Sequence, residues 1–286
     1  MNLMNEIELI CDRNHINYLG IAPVSRLENA PEGHRPTDFL ANSKVVIVLG
    51  IRIGKGSVAA HQIAYSDHKM RHAIYPYLLF GYGLLDHILA SACFEISLLL
   101  ENFGYTTLSI PPSMPNDPLA LRGAMSHKHA AVAAGLGEFG WTTLLLTPEG
   151  SQLRLASIIT EADLQPSPLY NGPSLCNPKE CKFLCARICP MNAIPKEEAV
   201  ECHIGEKTFR YGKLDKWSCR WGQHGFTDAN LGRKNIPKPD IVTKESYLEA
   251  LKQADPWQAK EQSPIGRVSF CSKCQIGCPA KGSICT

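Results

Sequence analysis

Twelve cysteines occur in the 286 residues, and most fall into a spacing with chemical content. The run Cys176-x4-Cys181-x3-Cys185-x3-Cys189-Pro190 is complemented far downstream by Cys271-x2-Cys274-x3-Cys278-Pro279. A closing Cys-Pro ends the thiol runs that hold [4Fe-4S] clusters in pairs, where the last cysteine of one run ligates the cluster of the other. That exchange assigns Cys176, Cys181, Cys185 and Cys278 to one cluster. Cys189, Cys271 and Cys274 then need a fourth ligand, and Cys202 is the expected supplement. Zinc would use thiolates in two pairs with no need of Cys-Pro, and disulfide frameworks belong to small secreted domains. Iron-sulfur chemistry is favoured over both. The early gaps of the first run depart from the bacterial C-x2-C-x2-C-x3-C pattern, and the x4 gap carries Pro178. Cys219 is read as packing or local structure, and Cys11, Cys93 and Cys285 have no assigned role.

The elements that must position these thiols are legible in outline. Asn5 to Asn14 predicts a short helix, Tyr18 to Pro23 a strand, and Lys44 to Ile53 a near-continuous β-branched run expected of a strand covered on both faces. Tyr75 to Phe103 predicts a core helix starting near Pro76 and ending at Gly104. Its aromatics Tyr75, Tyr77, Phe80 and Tyr82 are read as core packing rather than a cofactor box. Tyr105 to Ile110 predicts a strand stopped by Pro111-Pro112, and Ser126 to Ala134 a short Ala-rich helix. Gly135-Leu-Gly-Glu-Phe-Gly140 has a G-x-G-x-x-G form, but it follows a helix and precedes a strand-like stretch, the reverse of a dinucleotide fingerprint. Thr142 to Leu146 and Leu153 to Ile159 are expected to pair as a hairpin around Pro148 to Ser151. Asp163 to Pro173 is Pro-rich and polar, the expected boundary between domains 1–165 and 166–286. Beyond it, Asn235 to Asp240 reads as a loop and Lys244 to Ala254 as a short helix.

Composition is ordinary for a globular chain, with 44% hydrophobic and 20% charged residues, and the net charge of +2 gives no field that would draw nucleic acid or an anionic membrane. Met1 to Asp12 lacks a secretory pattern. The best apolar stretch, Ile88 to Leu100, is interrupted by Glu95, so no spanning helix and a cytoplasmic location are expected.

The segment His129 to Gly150 (HAAVAAGLGEFGWTTLLLTPEG), followed by Arg154 to Thr160 (RLASIIT) and the cysteine runs, resembles epoxyqueuosine reductases and the related reductive dehalogenases over about Tyr75 to Pro279. The resemblance implies an α/β (α+β) nitroreductase-like domain that holds cobalamin, followed by a small ferredoxin-like domain with two [4Fe-4S] clusters. It further implies reduction of a small-molecule substrate at the cobalt, with electrons from a low-potential donor arriving through the clusters. Gly135, Gly137 and Gly140, with Trp141, are then either the backbone against the corrin or simply a tight turn. His127, His129, Tyr75 and Tyr82 are the candidate proton donors; the histidines, two apart on a helix, do not share a face.

The sequence departs from the family in two places. Leu119 to Ala124 lacks the aspartate proposed as proton donor in epoxyqueuosine reductase, and no helical-repeat domain follows Pro279, so action on transfer RNA is not expected. Alternative readings are a ferredoxin-like donor to a corrinoid partner protein, a flavin-bearing oxidoreductase, and epoxyqueuosine reductase itself. No membrane partner is expected.

Overall fold

The computed structural model describes residues 2–113, 116–117, 121–226, 236–253 and 271–280. Helix α1 (Leu3–Arg13), capped by Asn2, leads to strand β1 (Tyr18–Pro23); strand β2 (Val45–Arg52) is followed by helix α2 (Lys55–Ser66). Helices α3 (Ile74–Leu78) and α4 (Leu84–Asn102) are joined by a π-turn at Leu79–Gly83. Strand β3 (Thr107–Ile110), helix α5 (His127–Ala133) and strand β4 (Leu153–Thr160) complete the first part. Then come helix α6 (Leu184–Arg187), the hairpin β5 (Ala199–Ile204) and β6 (Lys207–Gly212), and helices α7 (Lys216–Gln223), α8 (Lys244–Gln253) and α9 (Lys273–Ile276).

The main sheet has the order β1-β2-β4-β3, and every pair is antiparallel. Strand β2 is buried on both faces because its alternate residues serve two cores. Val45, Ile47, Leu49 and Ile51 meet α1 and α4, while Val46 and Val48 meet the Ala-rich face of α5. Close packing of α5 depends on small residues on both sides. A Cβ at Gly20 of β1 would stand 2.8 Å from the carbonyl oxygen of Ala134.

Three expectations need correction. Leu145–Leu146 pairs with Glu138–Phe139, not with β4, whose two edges are occupied by β2 and β3; only the 147–150 turn of the expected hairpin is present. The long helix begins its regular α-geometry at Ile74 and is broken by the π-turn. Of its aromatics, only Tyr77 is a full core residue, whereas Tyr75 and Phe80 are about half exposed (49% and 53%). Lys69–Asn102 is long and apolar enough to cross a membrane by length and composition, contrary to the expectation from Glu95. Its apolarity serves the core, since Tyr77, Leu85, Leu89, Ile96 and Leu100 all pack against the sheet.

The C-terminal cysteine run is locked onto the sheet. Gln275 Nε2 donates to the carbonyls of Ser151 (2.8 Å) and Leu153 (3.1 Å), Ser151 Oγ donates to Gln275 O (2.8 Å), and Ile276 joins the core of α1 and α4.

Candidate redox site

Every cysteine among the described residues is a free thiol, and Cys285 lies outside them. Cys176, Cys181, Cys185 and Cys278 form one neighbourhood. Burial pushes the Cys185 thiol up to about 12, with the charges of Cys176, Cys181 and Cys278 adding to it, and Cys176 is raised by burial and then by Cys278 and Cys181. Trp141 N–H donates to Cys176 Sγ at 3.2 Å. Lys182 and Phe183 both take left-handed backbone (φ 52 and 51°) to turn the chain between Cys181 and Cys185, a costly conformation for such side chains.

In the second neighbourhood Cys219 stands with Cys189, Cys271 and Cys274, and Cys202, the expected supplement, is not among the thiols acting on them. Burial pushes Cys219 up to about 12, aided by Cys271 and Cys189, and Cys274 is raised by burial and then by Cys219, Cys271, Cys189 and Cys185, the last of these from the first neighbourhood. Cys202 is raised to about 11 by burial alone, with no other thiol acting on it. It lies on β5 opposite Phe209 and packs against the core beside α5. Cys219 is delivered by α7, whose N-cap Asp215 accepts the N–H groups of Trp217 (3.1 Å) and Ser218 (3.0 Å). The Asp215 cap ahead of an amphipathic run is the sequence signal that could have placed Cys219 on an ordered helix.

Buried thiols that each oppose the ionisation of their neighbours fit a bound cationic cluster, since coordination deprotonates a thiol outright and releases that mutual penalty. Among the described residues, no three His, Cys, Asp or Glu side chains converge on a single ion. A cube spreads its four thiolates over four irons, so such convergence is not the geometry it requires.

Of the proton-donor candidates, His127 and Tyr82 both lie near the charges of Asp86 and Arg154, whereas His129 and Tyr75 stand elsewhere. His127 and His129 are both lowered to about 4, chiefly by burial. At His127, the contact to Pro111 O (3.1 Å) makes Nε2 the protonated nitrogen, leaving Nδ1 to accept from Ser157 Oγ (2.8 Å). His129 bonds Ser126 Oγ (2.7 Å) and Tyr211 Oη (3.2 Å), tying α5 to β6. Both rings are engaged structurally, and Tyr75 projects from the helix surface. Tyr82 instead belongs to a polar nest that sequence reasoning missed. Arg154 on β4 makes two 3.0 Å bonds to Asp86, its guanidinium lies 3.7 Å from the Tyr82 ring centre, and Ser113 Oγ donates to Asp86 Oδ2 at 2.8 Å. Only the apolar period of α4 and the lone charges Asp86 and Arg154 within apolar elements hinted at it.

The glycine run serves the chain itself. A Cβ at Gly135 (φ 76°) would lie 1.9 Å from Pro168 O, one at Gly137 would lie 1.9 Å from Leu146 O, and one at Gly140 would crowd the Leu146 side chain. Trp141 is likewise spent on Cys176, on Pro195 O through Nε1 (2.7 Å), and on Gly212 N through its carbonyl (3.0 Å). These four residues form a tight crossing within the chain. A cavity of about 840 Å3 lies between α1, β1 and residues 163–167, away from both thiol groups.

No family model matches the sequence, and no curated protein does. Solved structures do match the fold. Epoxyqueuosine reductase from Streptococcus thermophilus aligns with TM-score 0.50 and 17% identity over 98% of this chain and 66% of that one. A catabolic reductive dehalogenase in complex with 3-bromo-4-hydroxybenzoic acid aligns with TM-score 0.54 and 17% identity over 89% of this chain and 34% of that one. A reductive dehalogenase described by a mechanism for B12-dependent dehalogenation gives TM-score 0.51 and 18% identity, again over 89% and 34%. The chain thus spans less than two thirds of the length of each of these structures. Its mixed α/β architecture is the fold shared by epoxyqueuosine reductases and reductive dehalogenases.

Proposed function

We propose that this chain is an iron-sulfur oxidoreductase whose two [4Fe-4S] clusters are held by Cys176, Cys181, Cys185 and Cys278 and by Cys189, Cys219, Cys271 and Cys274. The observation that carries the reading is the gathering of eight thiols into two adjoining groups of four, which meet where Cys189 and Cys274 pack against the Cys185 cluster. When bound, such clusters supply one-electron transfer at low potential. The protein holds the thiols on short helices, excludes water with Trp141, Phe183 and Trp221, and clamps the second run to the sheet. Electrons from a low-potential donor protein then reach an acceptor on the sheet-bearing part, a cytoplasmic reduction of a small molecule.

Cobalamin is the acceptor suggested by the fold, since a B12-dependent dehalogenase is among the similar structures. Its contacts are not assigned, since the glycines and Trp141 already pack against the chain itself. That internal packing favours a second reading, in which the chain donates electrons to the corrin of a partner protein. Anaerobic purification after growth with cobalamin tests both. About eight irons per chain are expected, and about four or fewer refutes the two-cluster reading. Stoichiometric cobalt supports the reductase, and iron without cobalt supports the donor.

A further inference from the structure

A buried side-chain contact joins α3 to the C-terminal cysteine run. Tyr77 Oη donates to Ser272 Oγ at 2.6 Å across 195 residues of sequence, with both side chains out of solvent. Ser272 lies immediately after Cys271 and two residues before Cys274. It also occupies the N-cap position of α9, where a serine oxygen ordinarily accepts a helix N–H, yet it makes no side-chain cap bond. Its oxygen is taken by the tyrosine, and its own hydrogen is therefore directed away from Tyr77.

Tyr77 is held for this contact. Its ring packs edge-on against His61 (centroids 4.7 Å apart), and the π-turn passes over it at Gly81, where a Cβ would stand 2.8 Å from Tyr77 Cδ2. Such π-interruptions are frequent at functional sites. The phenol also feels the charge of Cys271, although burial is the main reason it stays neutral. Residues 271–277 are fixed by Gln275 and Ser151, so the pair cannot separate without unseating the run.

Hydrogen bonds to cluster sulfurs are among the levers that set the reduction potential of an iron-sulfur centre. We propose that the Tyr77–Ser272 hydroxyl pair stabilises the reduced state of the cluster held by Cys189, Cys219, Cys271 and Cys274, Ser272 donating toward its sulfurs and Tyr77 acting as the positioning residue. This rests on the two-cluster reading above. Reduction adds negative charge to the sulfurs, so a donor aimed at them favours the reduced form. The tyrosine, by donating to the serine oxygen, fixes the rotamer from which the serine can donate.

The test is a mediated redox titration of the whole chain followed by paramagnetic resonance, with the second cluster identified as the signal lost in Cys219→Ala. Ser272→Ala is expected to make that cluster about tenfold harder to reduce, the worth of one charge-assisted hydrogen bond, which is a midpoint lower by about 59 mV for one electron. Tyr77→Phe, which keeps the ring, moves it the same way by less, and Ser272→Thr restores it. The first cluster keeps its midpoint in all three. Iron-replete variants with unmoved midpoints overturn the inference while leaving the clusters in place. A parent chain lacking the second signal refutes the two-cluster reading and the inference with it. Should Ser272→Ala lose iron, the isosteric Tyr77→Phe decides alone.

Discussion

Replacing Cys219 or Cys202 by alanine separates two ligand sets that differ in one residue. Burial and neighbouring thiols hold Cys219 at about 12 against an ordinary 9.0, a penalty of about 4 kcal/mol on its thiolate when no iron is bound. Cys219→Ala removes one of four ligands on α7, so iron and acid-labile sulfide should fall from about eight to about four per chain. The residual paramagnetic signal should be that of the cluster at Cys181 and Cys185. Cys202→Ala removes one sulfur from a partly buried packing site between β5 and the Ala-rich helix, so it should keep about eight irons and cost about 1 kcal/mol in urea unfolding. Full iron in Cys219→Ala together with half in Cys202→Ala would refute the assignment.

Other perturbations probe the supporting structure. Asp86→Asn leaves the Arg154 guanidinium buried without its counter-charge, with both partners only 16% exposed, and should cost about 3–5 kcal/mol in urea unfolding; a change under about 1 kcal/mol would show that Arg154 finds another partner. Gly137→Ala drives a methyl into the Leu146 carbonyl and should lower thermal stability and iron content together, whereas Gly56→Ala, on α2 with open space around it, should be neutral or stabilising by up to about 1 kcal/mol. The imidazoles of His127 and His129 are lowered from 6.5 to about 4 on folding, so the unfolded chain binds more protons between those values. Their contribution is complete above about pH 6.5 and is lost as the pH falls toward 4. Denaturation midpoints between pH 7 and 5 should therefore decline, and His127→Gln should flatten the slope; an unchanged slope would mean that His127 is not held neutral.

Local spacing is enough to propose a cluster role for the cysteines, because cluster ligands must come from tight turns that bring neighbouring thiols to one side. It also shows β2 as a doubly covered strand, since both of its alternating sets are apolar, and α5 as a helix, since Ser126 and the alanines behind it state a cap and a packing face. Contacts between residues distant in sequence could not be read in this way. Cys202 and Cys219 are equally acceptable by count; the β5–β6 hairpin packs Cys202 beside the Ala-rich helix α5, and α7 sets Cys219 near Cys189 and Cys271. The glycine run looks open in one dimension because glycine states only that something comes close; Pro168 and Leu146, arriving from later turns, are what comes close. Asp86 with Arg154 and Tyr77 with Ser272 are likewise invisible to periodicity. Their partners are chosen by how helix, sheet and cysteine run stack, and burial of both members of each pair makes that choice energetically binding.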